Sequence, residues 1–130
     1  MNSSKQDKFH AQCELARKEL GALGIPAQRI HPVTHKVFGL LGIHLKPPFY
    51  SKALSNFFIF TFSNTLLFFL LFNLIFGLTT EYDLLVISQA ALFVGSLAGG
   101  LIARLYRLGY ERHNLKPWAE LGARVDTESE

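Results

Sequence analysis

Two long stretches of this sequence contain no charged residue, and their length decides the class of protein. Residues 53–78 and residues 84–103 include no Asp, Glu, Lys or Arg, although the whole chain is 18% charged. A helix needs about 20 mainly apolar residues to cross the hydrocarbon core of a bilayer. The remaining segments are too short and too polar to bury two such helices on every side, which argues against a soluble domain. The sequence therefore predicts two transmembrane helices.

The sequence also has only one cysteine and no apolar segment at its start. Cys13 has no second cysteine with which to form a disulfide inside the chain. Residues 1–23 carry charges throughout and lack the apolar core of a signal peptide. We therefore expect the N-terminal segment to remain on the mature protein. We expect Cys13 to act as a small apolar side chain within a helix.

Motifs of known active sites are missing as well. The sequence has no nucleophile elbow, no phosphate-binding P-loop and no His-Glu-x-x-His motif, and neither uncharged run contains a carboxylate. Lys and Arg are scattered rather than clustered, which argues against a nucleic-acid partner. We therefore predict no catalytic residue, no metal site, no cofactor and no small-molecule substrate. The expected protein is not an enzyme.

The basic residues that are present indicate how the spans are oriented. Eight of the thirteen Lys and Arg residues precede residue 53 and the other five follow residue 103. The loop 79–83 contributes only Glu81 and Asp83 as charged residues. The positive-inside rule therefore predicts that both termini are cytoplasmic and that the loop is external, with Tyr82 at the outer interface.

Ahead of the first span, the sequence predicts two short helices and a stiff turn. Apolar residues spaced three or four apart predict a first helix that ends near Gly24. A second helix is predicted from Pro32 to Gly42. Pro47 and Pro48 exclude regular helix, so they form an elbow that leads the chain into the membrane. The residues predicted to pack this cap and its interface are Phe9, Leu20, Phe38, Pro47, Pro48 and Trp118.

The two spans carry different features for helix packing. In the second span small residues recur every four positions, a small-xxx-small pattern that lets two helices approach closely. Because the loop is short, the partner predicted for this ridge is the first span, running antiparallel. The polar side chains of the first span do not share one face, which favours hydrogen bonding between helices over a solute path. The ridge consists of Ala91, Gly95, Gly99 and Ala103, and the polar side chains are Asn56, Ser63, Asn64 and Asn73.

Two motifs outside the spans have both a functional and a structural interpretation. His31 and His35 are four residues apart, a spacing at which one helical face can present both to a metal. No third ligand is evident, so solvated or capping histidines are favoured. Residues 47–50 fit the PPxY pattern that WW domains bind, but beside a membrane span a structural elbow is favoured.

The predicted fold class is all-α, an integral membrane helical hairpin with a small cytoplasmic helical cap. Residues 1–52 form the cap and elbow, 53–78 the first span, 79–83 the external loop and 84–105 the second span. Residues 106–130 continue the second helix to about Asn114 and end in an acidic tail. From Asp126 onward the tail is predicted to be disordered.

The order of short motifs resembles a bacterial family of small two-span membrane proteins that is catalogued as a domain of unknown function. The likeness extends from about Phe9 to Trp118. It implies a location in the bacterial inner membrane and brings no activity with it. The motifs that carry it are Leu23-Gly24-Ile25-Pro26, His31-Pro32, Leu41-Gly42-Ile43, Pro47-Pro48-Phe49 and Leu115-Lys116-Pro117-Trp118.

Three functional hypotheses follow from the sequence. The favoured one is a non-enzymatic membrane protein that acts through helix association, either with further copies of itself or with a larger membrane complex. The alternative is a subunit of an oligomeric channel or transporter built around Asn64 and Asn73. A third is a metal-responsive regulator that uses His31 and His35.

Overall fold

The structure, a computed structural model, describes residues 2–77 and 83–128. Helices account for 83% of these residues, and no strand occurs among them. The all-α class predicted from the sequence is therefore confirmed for the described residues. The predicted end of the first span at Leu78, the predicted interfacial Tyr82 and the last two residues of the tail lie outside this part. Of the predicted loop, only Asp83 is described.

The chain divides into two compact units. The cap unit consists of Met1–Ser51 and Gly109–Glu130, and the hairpin unit consists of Lys52–Leu108. The division falls within one long helix, so that helix contributes to both units. In chain order the helices are α1 (Asn2–Ala22), α2 (Ala27–Ile30), α3 (Val33–Leu40), a 3-10 turn (Pro48–Tyr50), α4 (Ala53–Gly77), α5 (Leu84–Arg112) and α6 (Trp118–Glu128).

The hairpin unit is built from α4 and most of α5, which are both long and apolar enough to cross a membrane. The 25 residues of α4 extend over about 37 Å at 1.5 Å per residue. At the start of α5 the Asp83 carboxylate accepts a hydrogen bond of 2.9 Å from the Leu85 amide, which satisfies one of the free donors of the first turn.

The cap unit has a core to which both ends of the chain contribute. Leu20 of α1 and Leu121 of α6 are both 0% exposed. Gln12 Nε2 donates a hydrogen bond of 3.2 Å to the Trp118 carbonyl oxygen, which joins the same two helices. A Cβ on Gly122 would lie 2.7 Å from Gln12 Nε2, so the glycine allows α6 to approach α1 closely.

Glycine terminates two helices of the cap unit. Gly24 and Gly42 have φ of +79° and +84°, a region that favours glycine, and they follow the ends of α1 and α3. After α3, the Ile43 amide donates to the Phe38 carbonyl at 2.8 Å, which is the long hydrogen bond of a Schellman motif. The second helix is therefore shorter than the predicted Pro32 to Gly42. The single turn of α2 was not predicted.

The C-terminal segment differs from the sequence-based expectation. α5 ends at Arg112, and Asn114 has a φ of 50°, which takes the chain out of helical geometry. A further helix, α6, then runs through the start of the segment predicted to be disordered. The physical reason is packing: Leu121 is buried in the cap core, and Asp126 forms an ion pair of 2.8 Å with Lys8 of α1. The polar composition of this C-terminal segment does not indicate that it packs against α1.

Candidate functional site

The glycine ridge of α5 lies directly against α4. A Cβ on Gly95 would lie 2.7 Å from the Thr65 backbone nitrogen, and one on Gly99 would lie 2.7 Å from that of Thr61. Residue numbers fall along α4 as they rise along α5, so the two helices are antiparallel. No side chain fits at either glycine without moving the α4 backbone. All four residues of the predicted ridge are buried, namely Ala91, Gly95, Gly99 and Ala103.

Thr61 and Thr65 are the ridge partners that the sequence analysis did not name. Their hydroxyl oxygens are buried and have no hydrogen-bond partner among the described residues. The two threonines are four residues apart and small, so they form a second small-xxx-small pair that faces the first. The spacing of four residues between these threonines is the feature of the sequence that could have identified them.

The polar side chains of α4 bond to their own helix. Asn64 and Asn73 each donate from Nδ2 to the carbonyl oxygen four residues earlier, at 2.7 Å. The Ser63 hydroxyl also donates to the carbonyl oxygen four residues earlier, at 2.8 Å. Asn56 is 1% exposed. The structure therefore brings neither Asn64 nor Asn73 into an interhelical hydrogen bond within the described residues. The two asparagines also lie on different sides of α4, so the channel alternative gains no continuous polar path from them.

Two of the predicted cap residues, Phe9 and Trp118, pack against each other, and Tyr50 lies beside them. The ring centroid of Trp118 lies 5.9 Å from that of Phe9 and 5.9 Å from that of Tyr50. The Lys46 ammonium lies 5.9 Å from the same ring, at cation–π distance. Burial and the nearby Glu19 raise the pKa of Tyr50 to about 12. Of the other predicted cap residues, Leu20, Pro47 and Pro48 are buried, and Phe38 is half-buried.

The cap unit also contains a cavity of about 200 Å³, which we call the histidine cavity. Four of the five histidines in the chain and its only cysteine line it, together with two cations. The sequence predicted only that His31 and His35 are neighbours. His10 and His44 come from distant segments, and nothing in the sequence pairs them. These lining residues are His10, Cys13 and Arg17 of α1, then His31, His35 and Lys36 around α3, and His44 beyond it.

Burial controls the protonation of the groups in the histidine cavity. His35 is 3% exposed, and burial with the nearby His31 lowers its pKa to about 4. Burial, Arg17 and Lys36 lower the pKa of His31. Burial raises the pKa of Cys13 to about 11. At neutral pH the imidazoles of His31 and His35 and the thiol of Cys13 are therefore uncharged. The permanently charged side chains in the lining are Arg17 and Lys36.

The histidine cavity does not present a set of metal ligands. Across residues 2–77 and 83–128, no group of three or more His, Cys, Asp and Glu side chains is placed to hold an ion. The His10 and His44 rings instead contact each other edge to face, with centroids 5.3 Å apart. Gln6 Nε2 lies 3.4 Å from Nε2 of His44. The hypothesis of a metal-responsive regulator therefore gains no ligand geometry from the cap unit.

Comparison with known proteins gives a family and no activity. A family model described as a family of unknown function (DUF6404) matches residues 7–121. This match confirms the resemblance to a family of unknown function that the short motifs indicated. No curated protein and no solved structure matches the chain.

Proposed function

Because the chain belongs to the DUF6404 family, whose function is unknown, we propose a function from its own geometry. It is a non-enzymatic integral membrane protein that acts by helix association with further copies or with a larger membrane complex. The observation that carries the proposal is exposed apolar surface. Only 6% of the most apolar window of α4 and 22% of that of α5 are buried. A core helix of a soluble protein is mostly buried, whereas hydrocarbon is a favourable solvent for such a surface.

The charges at the helix ends support one orientation. Lys52 precedes α4, and Arg104 and Arg107 lie on the last turns of α5, whereas Asp83 lies at the opposite end of the hairpin unit. By the positive-inside rule, both termini are then cytoplasmic. The inner membrane of a bacterium is proposed from the resemblance of the short motifs alone. Cys13 is not a candidate nucleophile, because burial raises its pKa to about 11 and leaves little thiolate at neutral pH.

Membrane insertion is tested by placing a charge on the outward surface of the hairpin unit. Leu67 and Leu97 are both well exposed near the middle of α4 and α5. We expect the wild-type chain to stay in the membrane pellet after an alkaline wash and to be released only by detergent. Leu67→Arg with Leu97→Arg is expected to reduce the inserted fraction strongly, because arginine at a span centre costs about 2.5–3.5 kcal/mol.

The control for this test is Leu23→Arg, which changes an exposed leucine of the cap unit in the same way. It is expected to leave the inserted fraction unchanged. If water rather than lipid surrounded α4 and α5, arginine at these exposed positions would be tolerated. Wild-type protein in the supernatant without detergent, or equal insertion of the double variant and the control, would contradict the proposal.

Association with another chain needs a surface other than the glycine ridge, which is occupied inside the hairpin unit. Gln89 offers one: it is exposed near the start of α5 and has no hydrogen-bond partner among the described residues. A polar amide in hydrocarbon is costly unless it is hydrogen-bonded. A glutamine amide both donates and accepts, so two copies of Gln89 can satisfy each other across a two-fold interface.

Gln89→Leu is expected to weaken self-association in vesicles by about 3–30-fold, which corresponds to about 0.6–2 kcal/mol for an interhelical hydrogen bond. Förster transfer between labelled chains measures it. Ser88→Ala is the matched control, because that hydroxyl already donates to the Leu84 carbonyl at 2.8 Å. Gln89→Asn keeps the amide and should retain part of the affinity. If wild type and Gln89→Leu associate equally, Gln89 is not the contact.

A further inference from the structure

We propose that the histidine cavity of the cap unit binds a phosphate group, with Arg17 and Lys36 as its charge partners. No part of the proposed membrane function requires such a site. The inference rests on that function only where the phosphate belongs to a lipid. The first arm of the test below uses free phosphate and does not depend on membrane insertion.

The lining of the cavity has the chemistry of an anion site. Two cations line it, and no carboxylate does. Glu14, which does not line the cavity, pairs with Nη1 of Arg17 at 3.0 Å, and both side chains are exposed. A guanidinium has five N–H donors and its fork suits phosphate oxygens, so one exposed contact leaves donors for a second anion. The geometry therefore favours an oxyanion over a cation.

The size of the cavity limits the ligand. Its volume of about 200 Å³ is open to solvent through a lining that includes exposed side chains. Sites for drug-sized ligands measure about 300–1,000 Å³, so a smaller ligand is indicated. A phosphate group with few further atoms satisfies this limit, and the N–H groups of neutral imidazoles can donate to its remaining oxygens.

The histidines give the site a measurable dependence on pH. The titratable groups that line the cavity together with His31 are His10, Cys13 and Arg17 of α1, His35 and Lys36 of α3, and His44 beyond α3. The two cations disfavour a charged imidazole, which is why the pKa of His31 is lowered. A bound phosphate opposes that effect, so it must raise the pKa of His31. By linkage, protonation of His31 then favours binding of a given ionised form of phosphate.

The phosphate has two sources, and α3 gives the reason to test both. Val33, Val37, Leu40 and Leu41 form a stripe on the side of α3 away from His35, and they are between 49% and 87% exposed. An apolar stripe flanked by lysine is typical of a helix in the membrane interface. A helix of that kind lies at the depth of the lipid headgroups. Lipid headgroups are then within range of the cavity.

The test follows the histidine ring signals by NMR. The full chain is held in maltoside micelles, which contain no phosphate, and inorganic phosphate is added at constant ionic strength against chloride. We expect saturable shifts of the His31 and His35 signals and a rise in their pKa values, with no change at His113. In a second arm, phosphatidic acid replaces phosphate. A response to phosphate identifies a free ligand, and a response to the lipid alone identifies a headgroup.

Two pairs of variants check the assignment of the charge partners. Arg17→Gln and Lys36→Gln are expected to weaken binding at least about tenfold, because each removes a charge-assisted contact. Arg29→Gln and Lys18→Gln change cap cations outside the lining and should bind as the wild type does. Thermal unfolding verifies that each variant is folded. The proposal is overturned by silent histidine signals in both arms, by equal binding in all four variants, or by zinc binding at micromolar concentration without a response to phosphate.

Discussion

Gly99→Ala is expected to destabilise the hairpin unit, whereas the same change at the neighbouring Gly100 is expected to be neutral or slightly stabilising. A Cβ on Gly99 would lie 2.7 Å from the Thr61 backbone nitrogen and 2.8 Å from its Cα. A Cβ on Gly100 would meet only the ring of Phe57, at 3.7 Å, which is an ordinary van der Waals contact. The two substitutions have the same intrinsic effect on the helix, so their difference reports the contact alone.

The expected size of the difference is about 1–3 kcal/mol for overpacking, because the gain of about 1 kcal/mol from alanine as the better helix former applies to both variants and cancels. Thermal unfolding in detergent, followed by circular dichroism and by proteolysis of the loop, measures it. Thr61→Ala in the Gly99→Ala background should restore only part of the stability, because it removes the collision with the Thr61 hydroxyl and leaves the one with the α4 backbone. Equal unfolding temperatures for Gly99→Ala and Gly100→Ala would show that the ridge does not pack as described.

The candidate spans could be predicted because simple physical limits determine them. The bilayer sets the length of an uncharged run, and close helix contact requires small residues at intervals of four. The register was not predictable in the same way. Which residues of α4 oppose Gly95 and Gly99 depends on the exact turn between the helices, so Thr61 and Thr65 emerged only from the structure.

The histidine cavity could not be predicted from the sequence, since its members contact across long stretches of chain. His10 and His44 are ordinary isolated histidines in the sequence, and only the path of the chain after α3 brings their rings to 5.3 Å. The ion pair of Lys8 with Asp126 joins the two ends of the chain. Local periodicity carries no information about such pairs, whereas it did identify Leu20 as a core residue.

Leu121→Ala is the sharpest test of α6, a helix that the sequence analysis did not predict and whose last residues, from Asp126, it expected to be disordered. Leu121 is 0% exposed in the cap core, so its truncation leaves a cavity and is expected to cost about 2–5 kcal/mol. Leu23→Ala is the matched control, because that leucine is 45% exposed and should change stability by no more than about 0.5 kcal/mol.

Hydrogen exchange separates the two variants better than a single unfolding temperature, since the cap and hairpin units need not unfold together. Loss of Leu121 should speed exchange in α6 and in the facing turns of α1 around Gln12, and leave the middle of α4 unchanged. Fast exchange throughout α6 in the wild type would mean that the segment is not docked. In that case Arg124 and Asp126 would lose their partners on α1, Glu19 and Lys8.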